Sequence, residues 1–160
     1  MKLKNALNEA KQYSRRANVK VINVPELHGE TDAQLHEMLT QTIGKTYGVP
    51  LRDDDIEVCH RVGKQKRNDN PRPVIVKFLR RGTKDALFRK LKTLRPQGPR
   101  IYHDLTHINS RLLYDLRQCE RIDSAWISYS GHVIAKGVNG GLFKVDMLSD
   151  IETELATYNK

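Results

Sequence analysis

Apolar and polar positions along this chain repeat with two periods, and each change of period marks an element. From Asn18 to Val24 the period is two. Val19 and Val21, with Asn23, fall on one face, and Lys20, Ile22 and Val24 on the other. Pro25 ends that strand. Thr31 followed by Gln34 is a capping-box pair, and Leu35, Met38, Leu39, Thr42, Ile43 and Thr46 follow at helical spacing until Gly48 and Pro50. Ile56 to Val62 reads as a second strand, and the polar, basic residues 63–71 as a flexible loop. Pro73 to Leu79 is the clearest strand: Val74, Val76 and Phe78 face one way, Ile75 and Lys77 the other. A helix opens at Gly82-Thr83 with Leu87, Leu91 and Leu94 as its stripe. Pro96, Gly98 and Pro99 stop it, and Arg100 to His103 is a fourth strand.

This β-α-β-β-α-β order predicts an α+β fold: a ferredoxin-like domain of the RNA-recognition-motif type over residues 17–105. Residues 1–16 form a separate short helix in this reading. Leu3, Leu7, Ala10 and Ser14 make a coiled-coil-like seam, too short to hold a coil by itself. Residues 106–160 read as a small α-β-β-β-α domain. Its helix begins near Thr106, carrying Ile108, Leu112, Leu113, Leu116 and Cys119. Strands follow over Ala125–Tyr129, His132–Lys136 and Leu142–Met147. Ser149 with Glu152 suggests a capping box for a last helix bearing Ile151 and Leu155. A unit of this size is near the lower limit for folding alone and is expected to lean on the domain before it.

Charge sharpens the picture. The formal net is +9, and residues 51–105 hold 15 Lys and Arg against 7 Asp and Glu, whereas residues 18–50 hold 2 against 4. Cations gathered in one third of the chain, between strands that build a core, suit a polyanion-binding surface. Other classes find little support. No apolar run approaches the roughly 18 residues of a membrane span, and Met1-Lys2-Leu3-Lys4 does not open a signal peptide. Cys59 and Cys119 form no metal-type spacing and read as free thiols of a reducing compartment. The histidines are scattered singly. No Gly-rich phosphate loop and no nucleophile elbow appear, so no catalytic residues, no metal and no cofactor are expected.

An RNA-recognition motif usually stacks bases on aromatic rings of its central strands. Here those positions hold Lys20, Ile75 and Lys77, and Tyr102 is the one candidate ring. A binder of phosphates with little base readout is therefore expected. The best candidates lie at strand ends and in the basic loop: Arg61 and Arg72, then Lys64, Lys66 and Arg67. Lys20 and Lys77 lie on the open sheet face, Arg100 and Tyr102 at its edge, and Arg15 and Arg16 at the approach from the first helix. A guanidinium holds a phosphate through two parallel bonds, which favours Arg61, Arg72 and Arg100 over any lysine. Cations of the second helix of this domain read as solvated, behind the sheet.

Ser14 to Glu26 resembles the start of the RNA-recognition domain in first-open-reading-frame proteins of LINE-type non-LTR retrotransposons. Ile56–Arg61, Arg72–Phe78 and Arg100–Leu105 resemble its later strands in order. The chain is equally similar to the baculoviral and invertebrate FP group, through the strings at Cys59–Arg61 and Arg72–Phe78. The resemblance implies a single-stranded nucleic-acid-binding protein with chaperone behaviour. It implies a ribonucleoprotein of the cytoplasm or nucleus, a trimerising N-terminal coiled coil, and a C-terminal domain that helps clamp RNA. It adds Arg111 and Arg117 to the candidates and matches Arg16, Arg61 and Arg72 to basic positions. The near-absence of a coiled coil here predicts a monomer or weak self-association. The alternative is a protein-interaction module in which Tyr114 and Trp126 serve the surface.

Overall fold

The computed structural model describes the chain apart from residues 65–69, 95–96 and 158–160. Its described residues form an α+β protein with five α-helices and two antiparallel sheets. Two compact units divide the chain: Ala17–Asp104, and Met1–Arg16 together with Leu105–Lys160.

The first unit runs β1 (Asn18–Ile22), α2 (Asp32–Tyr47), β2 (Ile56–Arg61), β3 (Val74–Phe78), α3 (Arg81–Leu91) and β4 (Arg100–His103), with α1 (Lys2–Ser14) preceding it in the chain. Its sheet has the order β2-β3-β1-β4. Alternation gives each strand one apolar face, so Val19, Val21, Val74, Val76, Phe78 and Ile101 are buried together against Leu35, Leu39, Ile43 and Tyr47 of α2 and Leu87 of α3. The capping box of α2 forms as the sequence predicts: the Thr31 hydroxyl accepts from the Gln34 amide at 3.2 Å, and the Gln34 side chain accepts from the Thr31 amide at 3.0 Å. Tyr47 at the far end of α2 is wholly buried and donates its hydroxyl to the Pro99 carbonyl at 2.8 Å, fixing the start of β4.

Strict alternation fails at two places. β1 stops at Ile22, and Asn23 takes φ 59°, a left-handed conformation that asparagine tolerates better than most residues. That break turns Val24 inward, where it is fully buried, instead of outward with Lys20 and Ile22 as alternation predicts. β2 shifts register between Ile56 and Val58, so Ile56 and Cys59 both reach the core. On the helix side of β4, His103 stacks on Phe88 of α3 with ring centroids 4.2 Å apart. Burial pushes its imidazole down to about 4. Lys84, buried on α3 with its ammonium 5.7 Å from the Phe88 ring, is pushed down by the same cause to about 8.

The second unit holds α4 (His107–Gln118), a sheet of β5 (Ile122–Ile127), β6 (Val133–Gly137) and β7 (Leu142–Val145) in that order, and α5 (Ile151–Thr157). Leu113 and Leu116 of α4 and Leu155 of α5 close a core over Ala125, Val133, Ala135, Phe143 and Val145. The side chain that bonds the first turn of α5 is Asp150, which accepts from the Glu152 amide at 3.2 Å; the Ser149 hydroxyl instead accepts from the Asp146 amide at 2.9 Å.

The N-terminal helix belongs to this unit, where the sequence reading set it apart. Its inward face is polar, which hydrophobic spacing could not reveal. Asn5, Asn8 and Gln12 are buried, and Leu3 and Leu7 of the apolar seam are exposed. Asn8 donates to Asn109 at 2.8 Å and accepts from the Thr106 hydroxyl at 2.7 Å. Gln12 accepts from the Thr106 amide at 2.9 Å and from the Asn109 amide group at 3.1 Å. Each of these buried amides therefore has partners, as burial requires.

Candidate functional site

The two strongest sequence candidates are structural. Arg61 ends β2, and the five donors of its guanidinium all find acceptors: two on the Glu30 carboxylate at 2.9 Å, and one each on the carbonyls of Val24, Pro25 and Arg72. Both side chains of the pair are about 95% out of solvent. Arg72 forks onto Glu26 at 2.7 and 2.6 Å and donates its backbone amide to the same carboxylate. Hydrogen bonding from Arg72 holds the Glu26 carboxyl below its usual range, and hydrogen bonding from Arg61 does the same to Glu30. Together the arginines tie the segment between β1 and α2 to the ends of β2 and β3. The sequence held a signal for this in the anionic surplus of residues 18–50, the stretch that supplies Glu26 and Glu30.

The other candidates divide between the two units. Lys66 and Arg67 lie outside the described residues, and Lys64 is exposed beside them. Arg15, Arg16, Arg111 and Arg117 belong to the other unit. Arg15 donates to the Leu105 carbonyl, Arg16 lies over the Tyr13 ring, Arg111 pairs with Asp115, and Arg117 donates to the Ala125 carbonyl. Lys77 pairs with Glu57 at 2.9 Å, but both side chains are well exposed, so solvent and salt weaken the pair.

What the fold does bring together lies on the open face of the first sheet. Strand pairing puts His60 opposite Ile75, Ile75 opposite Lys20, and Lys20 opposite Tyr102, one row across all four strands. Arg100 lies opposite Ile22 in the next row. Lys20, Tyr102 and Arg100 are exposed. Among the described residues neither Lys20 nor Arg100 has a carboxylate partner, in contrast to Arg61, Arg72 and Lys77. An ammonium and a guanidinium flanking a phenol ring can hold phosphates on either side of a stacked base.

Beside β4, at the free edge of the sheet, an open groove of about 740 Å³ continues this surface. Three of its polar residues, Asn23, Lys92 and Gln97, are not among the sequence candidates. Lys92 reads from the sequence as one of the solvated cations of the second helix, but α3 ends at Leu91, and Lys92 lines the groove with Arg100 and Tyr102. Asn23 reads as part of the alternation of β1, but its backbone is left-handed and it lines the groove. Among the described residues no group of three or more His, Cys, Asp or Glu could hold a metal ion, and no helix is long and apolar enough to cross a membrane. Comparison with known proteins finds no matching family model and no matching curated protein.

Proposed function

We propose that this chain is a non-catalytic binder of single-stranded nucleic acid, RNA before DNA, acting through a ferredoxin-like sheet of the RNA-recognition type. The βαββαβ connectivity of the first unit and its strand order β2-β3-β1-β4 support that topology. The observation that carries the function is the open-face row in which Tyr102 and Lys20 sit side by side next to Arg100, with no carboxylate among the described residues neutralising either cation. The track lies over β1 and β4; the mouth between β2 and β3 is closed by its own ion pairs. The resemblance to retrotransposon first-open-reading-frame proteins suggests a chaperone-type role in a retroelement ribonucleoprotein. The exposed Leu3 and Leu7 of α1 would serve a homotrimer only within a longer coil, and the 13-residue helix predicts a monomer in light scattering.

Binding of labelled single-stranded RNA, single-stranded DNA and duplex, each at about 50 and 200 mM salt, tests the reading. Single strands should bind more tightly than duplex, with affinity falling steeply as salt rises. Lys20→Gln and Arg100→Gln should each weaken binding and flatten the salt dependence. No binding at the lower salt, or binding indifferent to both substitutions, refutes it. A protein-binding role has its own support in the other unit, where Tyr114 and Trp126 are exposed. A chain that captures a peptide and no oligonucleotide would establish that role instead.

A further inference from the structure

The groove at the β4 edge combines the chemical parts that one nucleotide needs. Its apolar lining comes from Leu91, Leu94 and the buried Ile101, beside the buried Tyr47. Tyr102 stands on its rim as an exposed ring. Arg100 and Lys92 supply positive charge, and none of the described residues lining the groove is a carboxylate. Two side-chain amides, Asn23 and Gln97, complete the polar lining. Amides pair with base edges through a donor and an acceptor on one group, which phosphate-binding cations cannot do.

The backbone at Asn23 is an independent observation pointing the same way. It is the one non-glycine residue with positive φ among the described residues. Its exposed side chain makes no hydrogen bond that would explain why asparagine stands in a conformation glycine adopts at less cost. Left-handed non-glycine residues concentrate at ligand sites, where the local strain places a functional group.

We propose that this groove is a single-nucleotide subsite: the base stacks on Tyr102, Asn23 and Gln97 read its edge, and Arg100 and Lys92 hold the flanking phosphates. This rests on the nucleic-acid reading above and goes beyond it. A surface of cations alone predicts indifference to sequence, whereas amides in a groove predict a base preference at one position of the bound strand. The ligand class is accordingly a single strand with an unstacked base; a duplex would keep its bases out of the groove.

The test uses the full chain and labelled oligomers of uridylate, adenylate and cytidylate, each about ten nucleotides long, in fluorescence anisotropy at about 50 and 200 mM salt. Wild type should rank the three oligomers unequally. Tyr102→Leu should weaken binding to the preferred oligomer by roughly 5- to 100-fold, the range of lost base–aromatic stacking. Lys92→Gln should weaken all three alike and reduce the salt slope by about 0.7, one phosphate contact on a single strand. Asn23→Gly fits the positive φ without strain, so it should fold as wild type, keep the salt slope, and level the ranking. Thermal melts of each variant exclude unfolding as the cause of any loss. If wild type binds none of the oligomers, the nucleic-acid reading fails and the subsite with it. If wild type binds but ranks the oligomers equally, or if Tyr102→Leu, Lys92→Gln and Asn23→Gly all bind like wild type, the subsite alone is wrong.

Discussion

Arg61 meets Glu30 through two parallel hydrogen bonds of 2.9 Å in a place nearly closed to solvent. That geometry makes the arginine a latch for the Val24–Glu30 segment; it leaves no donor for a ligand. Removing one partner strands the other charge in a poor solvent. Arg61→Ala should therefore cost on the order of 3 kcal/mol of stability. Arg61→Lys should also be costly, because an ammonium has three donors and no planar fork for the acceptors that the guanidinium satisfies. Urea denaturation of both variants measures this, and an Arg61→Ala midpoint equal to wild type would refute the latch.

How far the sequence reached depended on whether a residue's partner was nearby in the chain. Core positions and the capping box at Thr31 were legible, since period and spacing are local properties. The cations were legible as a cluster but not one by one. Arg61 is bound by a carboxylate that lies 31 residues earlier, and no local pattern separates such a cation from a free one. The same reasoning explains α1. Leu3 and Leu7 read as a short coiled-coil-like seam because apolar spacing is the usual signal of a packing face. Asn5, Asn8 and Gln12 go inward because partners from around residues 106–109 and 146–147, far along the chain, satisfy their amides.

The polar seat of α1 gives a second prediction. Asn8→Ala removes one buried acceptor and one buried donor, leaving the Thr106 hydroxyl and the Asn109 carbonyl oxygen without them. The expected loss is about 2 kcal/mol in the unit holding α1, from stranded polar groups rather than lost apolar area. Leu3→Ala and Leu7→Ala, at exposed positions, should each stay within about 0.5 kcal/mol of wild type. Hydrogen exchange in α1 distinguishes the cases. Faster exchange in the leucine variants than in Asn8→Ala would mean that the helix docks through its apolar side.

The two thiols should differ in reactivity. Cys59 is buried under the first sheet, and burial pushes its thiol up to about 11, with nearby Asp32 and Glu30 acting in the same direction. Near neutral pH it is a protonated, inaccessible thiol and a poor nucleophile. Cys119, at the end of α4, is only partly buried. Iodoacetamide at neutral pH should modify Cys119 first, and Cys59 only on a timescale set by opening of the first unit. Mass spectrometry of early time points checks this order, and prompt labelling of Cys59 would contradict the packing.

Acid should destabilise the first unit in two stages, beginning with His103. Its ordinary value is 6.5, and burial against Phe88, with the Lys84 charge nearby, brings it to about 4 in the folded chain. Between those values the unfolded chain binds more protons, so stability rises with pH across that window. The contribution is complete above about pH 6.5 and is lost as pH falls towards 4, for a total on the order of 3 kcal/mol. The carboxylates come next. Glu26 and Glu30, held below their usual 4.5 by hydrogen bonds from Arg72 and Arg61, give stability that is present above 4.5 and lost as pH falls through their folded values. His103→Phe keeps a ring for Phe88 and removes the titrating group, so its stability should be level from pH 6.5 to 4.5 and fall only below that. Urea midpoints at half-unit pH steps will show it. A variant that declines over the upper window as steeply as wild type would place the sensitivity elsewhere than the imidazole.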